Sequence, residues 1–389
     1  MKKRLLENSM WHLYAITSIY AIGSVLLSVA LASSLFITTE SAEISTLVFL
    51  VQYLPVAIFI KIIWLISEKN SSKTLLILTC LGAASVSFLL SQVENHFVLF
   101  SLLAIRGFID SIFKQSRLVY IKTVVQQENI GTVNAQLMLY EFSGQTCGAF
   151  LALFLLQNIS LSTICFIDGG ILLICTLLGK SLNKENHTAT GRTANYSIRT
   201  IWSTLRENPK LKYFSFMLIL SVISFQSLNQ IIRTWLPLSW LDLSLNKVGF
   251  IELLSLIGIV LGLYAAKLKM KKAVTSERFL LAVFVMASLC LSGIFLSKEL
   301  FISLSIYLLY MFFFELSLSY SMSSMMIHIE EDMVKGLLAL FYSISYGGLC
   351  ITGILFAYLV EMHGLDLLAH WVGAGCILLS TLLYQQQRR

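Results

Sequence analysis

Apolar stretches of roughly 20 residues recur twelve times along the 389-residue chain, near 11–37, 42–66, 74–92, 97–124, 131–157, 159–180, 212–240, 247–266, 277–296, 299–325, 333–360 and 365–385. Hydrocarbon offers a backbone no hydrogen-bond partner, so a crossing segment satisfies its own N–H and C=O groups as helix, and about 20 apolar residues cover the thickness. The pattern predicts an all-α membrane protein with twelve transmembrane helices. Lys and Arg gather in every second connection. Thr38–Ala42, Ser91–His96, Gln157–Leu161 and Glu361–Asp366 contain neither, and only Lys247 and Lys298 mark the other two connections of that parity. The opposite side receives Lys2, Lys3 and Arg4, then Lys69 and Lys73, then the basic residues between Lys180 and Lys212, among them Lys184, Arg192, Arg199 and Arg206. It also receives Lys267 to Arg278, Lys335, Arg388 and Arg389. By the positive-inside rule that side is cytoplasmic, and both termini lie on it.

Composition sharpens this reading by exclusion. With 57% apolar and 13% charged residues and a mean hydropathy of +0.80, the chain is no ordinary soluble domain. Its net charge of +7 reports orientation in the bilayer, and no nucleic-acid partner is expected. The basic segment Met1–Glu7 leads into an apolar run that is too long for a signal peptide and lacks a small-residue cleavage site, so it reads as the first span. All seven cysteines fall inside spans without a Cys-x-x-Cys pair, which predicts free buried thiols and no metal site.

The long polar segment Ser181–Lys212 divides the spans into two sets of six. The expected domains are an N-terminal bundle over 1–182, a cytoplasmic linker over 183–211 and a C-terminal bundle over 212–389. Sliding one half along the other brings Gly144 onto Gly348 and Asp110 onto Glu315, with Gly148 one short of Gly353. Within the linker Ile198, Ile201, Trp202 and Leu205 recur at helical spacing, with Arg199 and Arg206 on another face. This predicts an amphipathic helix on the cytoplasmic surface, ended before Pro209.

Twelve spans in two six-span halves with both ends inside resemble the major facilitator superfamily. The first cytoplasmic loop of that family usually reads G-x-L-A-D-R-x-G-R-K. Here Trp64-Leu-Ile-Ser-Glu68-Lys69-Asn-Ser71-Ser72-Lys73 keeps an acid and two bases at that spacing and loses both glycines, whereas Gly262-Leu-Tyr-Ala-Ala266-Lys267 keeps the glycine and loses the acid. The antiporter pattern G-x8-G-x3-G-P-x2-G matches at Gly131, Gly144 and Gly148, with Tyr140 and Gln145 at the other two places; plain helix packing explains these glycines equally well. The run from Arg106-Gly107-Phe108 through Arg117, Glu128-Asn129 and Asn134-Ala135 to Gly144 is similar to the drug- and siderophore-exporting branch, which includes macrolide-efflux and enterobactin-exporter-like proteins. So are Arg206-Glu-Asn-Pro209 and Glu331-Asp-Met-Val-Lys335-Gly336. The resemblance implies a proton-coupled, alternating-access exporter of a small organic compound in a bacterial inner membrane. It further implies a monomer whose partners are substrate, protons and lipid, with no cofactor and no enzymatic activity. Glu68, Lys69, Lys73, Gly144 and Gly148 would serve conformational change.

Charge inside a span costs a few kcal/mol or more, so each such residue is a functional candidate. Lys61, Lys114, Arg117 and Lys122 lie toward cytoplasmic ends and are expected to snorkel. Arg106 and Asp110 stand one helical turn apart and can pair, as a coupling site or as a structural ion pair. Arg106 also matches the arginine that drug-exporting members carry in span four, where the resemblance implies a share in proton coupling. Glu141 and Glu315 are deep in spans five and ten; burial favours the neutral form of a carboxyl group, so each, like Asp110, is a candidate proton carrier or else a permanently protonated acid. Asn229, Gln230 and Arg233 in span seven are substrate-binding candidates together with Arg106 and Glu315, because guanidinium matches carboxylate in a bidentate fashion; an outer gate salt bridge is the alternative for Arg233. Asp168 sits in span six, which the family architecture keeps away from the cavity, so it is expected to be structural or interfacial, and Glu252 lies near an outer end. Gly179-Lys180-Ser181 lacks the first glycine of a phosphate-binding loop, and His328-Ile-Glu330-Glu331-Asp332 reads as acids at a helix start rather than as metal ligands.

Overall fold

A computed structural model describes residues 2–39, 42–93, 95–156, 158–183, 198–243, 245–270, 275–330 and 333–388. Lys184, Arg192, Lys271, Lys272, Glu331 and Asp332 lie outside these residues, as do the side chains of Lys2, Lys3, Arg4, Glu68, Lys247 and Glu252. In chain order the helices are α1 (Lys2–Thr39), α2 (Ala42–Ile58), α3 (Ile60–Lys69), α4 (Ser72–Leu90), α5 (His96–Val124), α6 (Ile130–Leu156), α7 (Leu161–Lys180), α8 (Ile198–Glu207), α9 (Pro209–Leu220), α10 (Ser227–Trp235), α11 (Leu245–Met270), α12 (Glu277–Gly293), α13 (Leu300–His328), α14 (Val334–His363) and α15 (Leu365–Arg388). Among the described residues ten helical stretches are long and apolar enough to cross a bilayer. The pair α2–α3 and α11 complete the twelve passages of the predicted fold.

Short polar residues at the connections start several of these helices by accepting orphan backbone N–H groups. Ser71 caps Thr74, Asn95 caps Phe97 and Val98, Ser160 caps Thr163, and Ser276 caps Phe279. The amphipathic helix α8 ends at Glu207; Asn208 then caps Leu211 while Pro209 occupies the first turn of α9, where its missing N–H costs nothing. Leu205 is buried on one side of α8 and Arg206 is exposed.

The passage expected as one helix over 42–66 is two. Pro55 has no N–H to give back along the helix, and the chain leaves helical geometry at Phe59 before α3 begins. The passage expected over 212–240 is continuous but not uniform, because π-helical turns at Ser221–Gln226 and Leu236–Trp240 interrupt it. Tertiary partners hold the first turn open: Thr352 Oγ1 donates to the Ile223 carbonyl (2.9 Å) and Tyr310 Oη to the Phe225 carbonyl (2.9 Å).

The chain forms two compact units. The first comprises Met1–Gln126, Leu139–Asn195 and Glu331–Ser343; the second comprises Gln127–Met138, Tyr196–Glu330 and Ile344–Arg389. The start of α6 therefore packs in the second unit, where Asn134 Nδ2 donates to Ser323 Oγ (3.0 Å). The start of α14 packs in the first, where Gln115 Nε2 donates to the Lys335 carbonyl (2.7 Å). In the first unit α1, α2, α4, α5 and α7 surround a core that includes Leu27, Leu31, Val48, Leu103 and Cys165. Large apolar side chains such as Phe97, Phe150 and Phe166 remain exposed, as lipid-facing helices require.

A buried charge network in the first unit as the candidate functional site

Gly107 sets the position of the residue before it. A Cβ there would stand 2.0 Å from the Gln52 carbonyl oxygen, so only glycine lets α5 lie backbone to backbone against α2. That contact turns Arg106 inward, away from lipid and 1% exposed. Its Nε lies 3.2 Å from Asp110 Oδ1, and its Nη1 lies 3.4 Å from Asp168 Oδ2. Nη1 also donates to the Ala83 carbonyl (2.7 Å) and to Ser87 Oγ (2.8 Å), and Ser87 Oγ donates to Asp168 Oδ2 (2.6 Å). The Tyr20 ring lies 5.6 Å from the guanidinium carbon. Four helices thus meet at one cation: α1, α4, α5 and α7.

The predicted Arg106–Asp110 pair is present, and Asp168, expected to be structural or interfacial, is fully buried in the same network. Gly23 on α1 makes the space, since a Cβ there would stand 2.2 Å from Asp168 Oδ1.

The two acids differ in access. Asp168 is sealed, whereas the Asp110 side chain is 13% exposed and lines a cavity of about 40 Å3. Tyr20 Oη donates to Asp110 Oδ1, and Ser24 Oγ donates to Oδ2 at 3.2 Å. A water needs roughly 10–15 Å3 of such space, so the cavity has room for about three or four waters. Its walls include Lys114, Arg117, Glu141 and Gln145. Asp110 and Glu141 thus open onto the same small cavity.

Glu141 has its own cation. Arg117 Nη2 donates to Glu141 Oε2, and both side chains are almost entirely buried. Arg117 therefore does not snorkel, and Lys122 is also buried; Lys61 is exposed as expected. The glycines on the Glu141 face carry helix packing: Cβ atoms at Gly144 and Gly148 would stand 2.3 and 2.4 Å from the carbonyl oxygens of Ser18 and Ile22 on α1. At the first-loop motif Lys69 is exposed, and Lys73 Nζ donates to the Lys180 and Leu182 carbonyls, tying the start of α4 to the end of α7.

The remaining candidates belong to the second unit. Asn229 is buried and accepts from Tyr307 Oη (3.2 Å), Gln230 is exposed and Arg233 is half-buried. Glu315 is 2% exposed on α13, its Cβ only 3.2 Å from where a Cβ of Gly262 would stand, so α11 covers it closely. Gly262 is thus kept for close helix crossing. His328 Nδ1 lies 2.8 Å from the Ser324 carbonyl and its ring tilts against Phe214.

Comparison with known proteins agrees with this architecture. Over 146 residues the chain is 25% identical to the multidrug resistance protein MdtG of Klebsiella pneumoniae (strain 342), a match that covers 38% of this chain and 35% of that one. The chain thus spans about a third of the length of that curated relative. Among solved structures it resembles the Escherichia coli fucose:proton symporter FucP with a TM-score of 0.76, 13% identity and coverage of 97% and 98% of the two chains. It also resembles the human organic anion transporter MFSD10 (TM-score 0.73, 11% identity, 98% and 99% covered). A bacterial homologue of the iron transporter ferroportin matches with a TM-score of 0.72, at 13% identity over 98% and 99% of the chains. At these identities the structural likenesses speak for the fold. The family model of the Major Facilitator Superfamily matches residues 13–357, nearly the whole chain, and the chain belongs to that superfamily of membrane transporters.

Proposed function

We propose that the chain is a proton-coupled exporter of a small organic compound, working by alternating access in a bacterial inner membrane with both termini cytoplasmic. The observation that carries this reading is the Arg106–Asp110 pair, a buried ion pair with one acid open to a cavity of about 40 Å3. Such an acid exchanges protons without binding substrate, which separates the driving ion from the cargo. Glu141, on the same cavity, and Glu315, on α13, are the further proton-carrying candidates. The 25% identical relative named as a multidrug resistance protein supports export.

Asn229, Gln230 and Arg233 serve the substrate, and a guanidinium in that set suits a compound bearing a carboxylate or another anionic group, such as a metal chelator. Glu68, Lys69 and Lys73 act in the conformational cycle, in which an N-terminal and a C-terminal six-helix bundle rock about the linker.

Transport into everted vesicles carrying a pH gradient, measured with a panel of chelators and drugs, tests the proposal. Uptake that depends on the gradient and is lost in Asp110→Asn is expected. Movement that ignores the gradient and is unchanged in Asp110→Asn, Glu141→Gln and Glu315→Gln would refute coupling, and gradient-driven accumulation in intact cells would make the chain an importer.

A further inference from the structure

Charge is spread unevenly over the base-rich end of the second unit. From Arg206 to Lys212 the sequence holds three bases and one acid, and from Lys267 to Arg278 five bases and one acid. The fold draws these segments together at the start of α12. Lys210 Nζ, at the start of α9, lies 3.9 Å from Glu277 Oε1, and Gln387 Nε2, near the end of α15, donates to the same oxygen (3.1 Å). Arg278 Nε donates to Tyr384 Oη on α15 (3.2 Å), and Lys269 Nζ, at the end of α11, lies 4.5 Å from the centre of the Phe279 ring.

The acids at this end do not match the bases. Lys210 is 52% exposed beside Glu277, so that pair is screened and weak. Arg206, Lys269 and Arg278 have no carboxylate within 4 Å among the described residues. With Lys212 and Lys267 included, six described bases at this end of the unit stand against four acids, Glu128, Glu207, Glu277 and Glu330. The excess positive charge is concentrated around α12, away from Glu128 before α6 and Glu330 after α13.

We propose that this surface docks an acidic phospholipid, with Arg206, Lys210, Lys269 and Arg278 supplying the charge that meets its phosphate. Tyr384 takes only Nε of Arg278, which leaves the two terminal nitrogens to meet a phosphate in a bidentate fashion. The amphipathic helix α8 argues for a lipid phosphate rather than a free one. Its Trp202 is 48% exposed one turn before Arg206, and a tryptophan so placed sits at the depth of the headgroups. Four residues separate Arg206 from Lys210, at most about 14 Å of chain, so the tryptophan and the bases serve one patch of membrane. Bases close to an anionic leaflet each contribute to holding it. This docking surface is independent of the cargo and of the coupling acids proposed above.

The test is native mass spectrometry of the detergent-solubilised full-length chain titrated with a short-chain phosphatidylglycerol, with phosphatidylcholine of the same chain length and inorganic phosphate as comparisons. Phosphatidylglycerol is expected to bind more tightly than either. Each base removed should weaken it about fivefold, so Lys210→Gln/Arg278→Gln is expected to bind it about 25-fold more weakly while its binding of phosphatidylcholine stays unchanged. If that double variant does not fold, Arg206→Gln decides alone, because the Arg206 side chain makes no hydrogen bond or ion pair to another described residue; about fivefold weaker binding is expected. Equal binding of phosphatidylcholine, displacement of the lipid by an equal concentration of inorganic phosphate, or undiminished affinity for phosphatidylglycerol in either variant would overturn the inference.

Discussion

Removing either partner of the buried Arg117–Glu141 pair leaves a charge behind, but the two orphans are not equivalent. A carboxylate can be neutralised by a proton, whereas a guanidinium stays charged at every accessible pH. Both side chains are at most 10% exposed, so breaking the pair is in the regime where a stranded charge costs about 3–5 kcal/mol. Glu141→Gln is expected to lose that amount regardless of pH. Arg117→Met is expected to lose a similar amount at neutral pH, but its orphan takes up a proton on folding that the unfolded chain does not hold. Acid therefore favours the folded variant by about 1.4 kcal/mol per pH unit. Between about pH 7 and 5.5 the Arg117→Met deficit should shrink by about 2 kcal/mol, or roughly 4 °C in unfolding midpoint at about 2 °C per kcal/mol. Thermal unfolding of the purified variants at the two pH values measures this directly, with Glu141→Gln/Arg117→Met expected to recover most of the loss. Equal, pH-independent losses in both single variants would refute the assignment of Arg117 and Glu141 as a mutually compensating buried pair.

Gly107→Ala is expected to force α5 off α2, costing about 1–3 kcal/mol and displacing Arg106, so the unfolding midpoint and gradient-driven transport should fall together. Gly23→Ala pushes against the Asp168 carboxylate; transport should fall, and a normal rate in this variant would argue against a tightly held Asp168. Lys73→Ala removes the donor to the Lys180 and Leu182 carbonyls and should destabilise the chain by about 1 kcal/mol, read as a lower unfolding midpoint. Asn208→Ala, which deletes the cap of α9, should cost a similar amount.

The twelve passages were legible because a bilayer imposes one length and one backbone solution on every crossing. The Arg106–Asp110 pair was legible because helical spacing alone puts those residues on one face. The partner of Asp168 was not legible because it lies on another helix, and nothing local announces that α7 turns this residue toward α5. Gly23 was the available signal, since its missing Cβ leaves the room that the Asp168 carboxylate fills. Arg117 was read as snorkelling because sequence gives depth along a span but not direction around it, and the direction is set by Glu141 on α6. Pro55 marked the break in span two, but the length of the apolar run concealed that the backbone changes course there.

The π-helical turn at Ser221–Gln226 fixes more than a local irregularity. An α-helix turns about 100° per residue, so one residue accommodated as a bulge swings everything beyond it by that angle. Asn229 and Arg233 follow the bulge, and a plain helical wheel drawn through span seven assigns them to the wrong side. Thr352 and Tyr310 lock the setting by occupying the carbonyls of Ile223 and Phe225. Span seven thus works like a threaded rod with a detent: releasing those two hydroxyls, or deleting one residue between Ser221 and Gln226, would turn the polar stripe beyond the bulge to a new bearing.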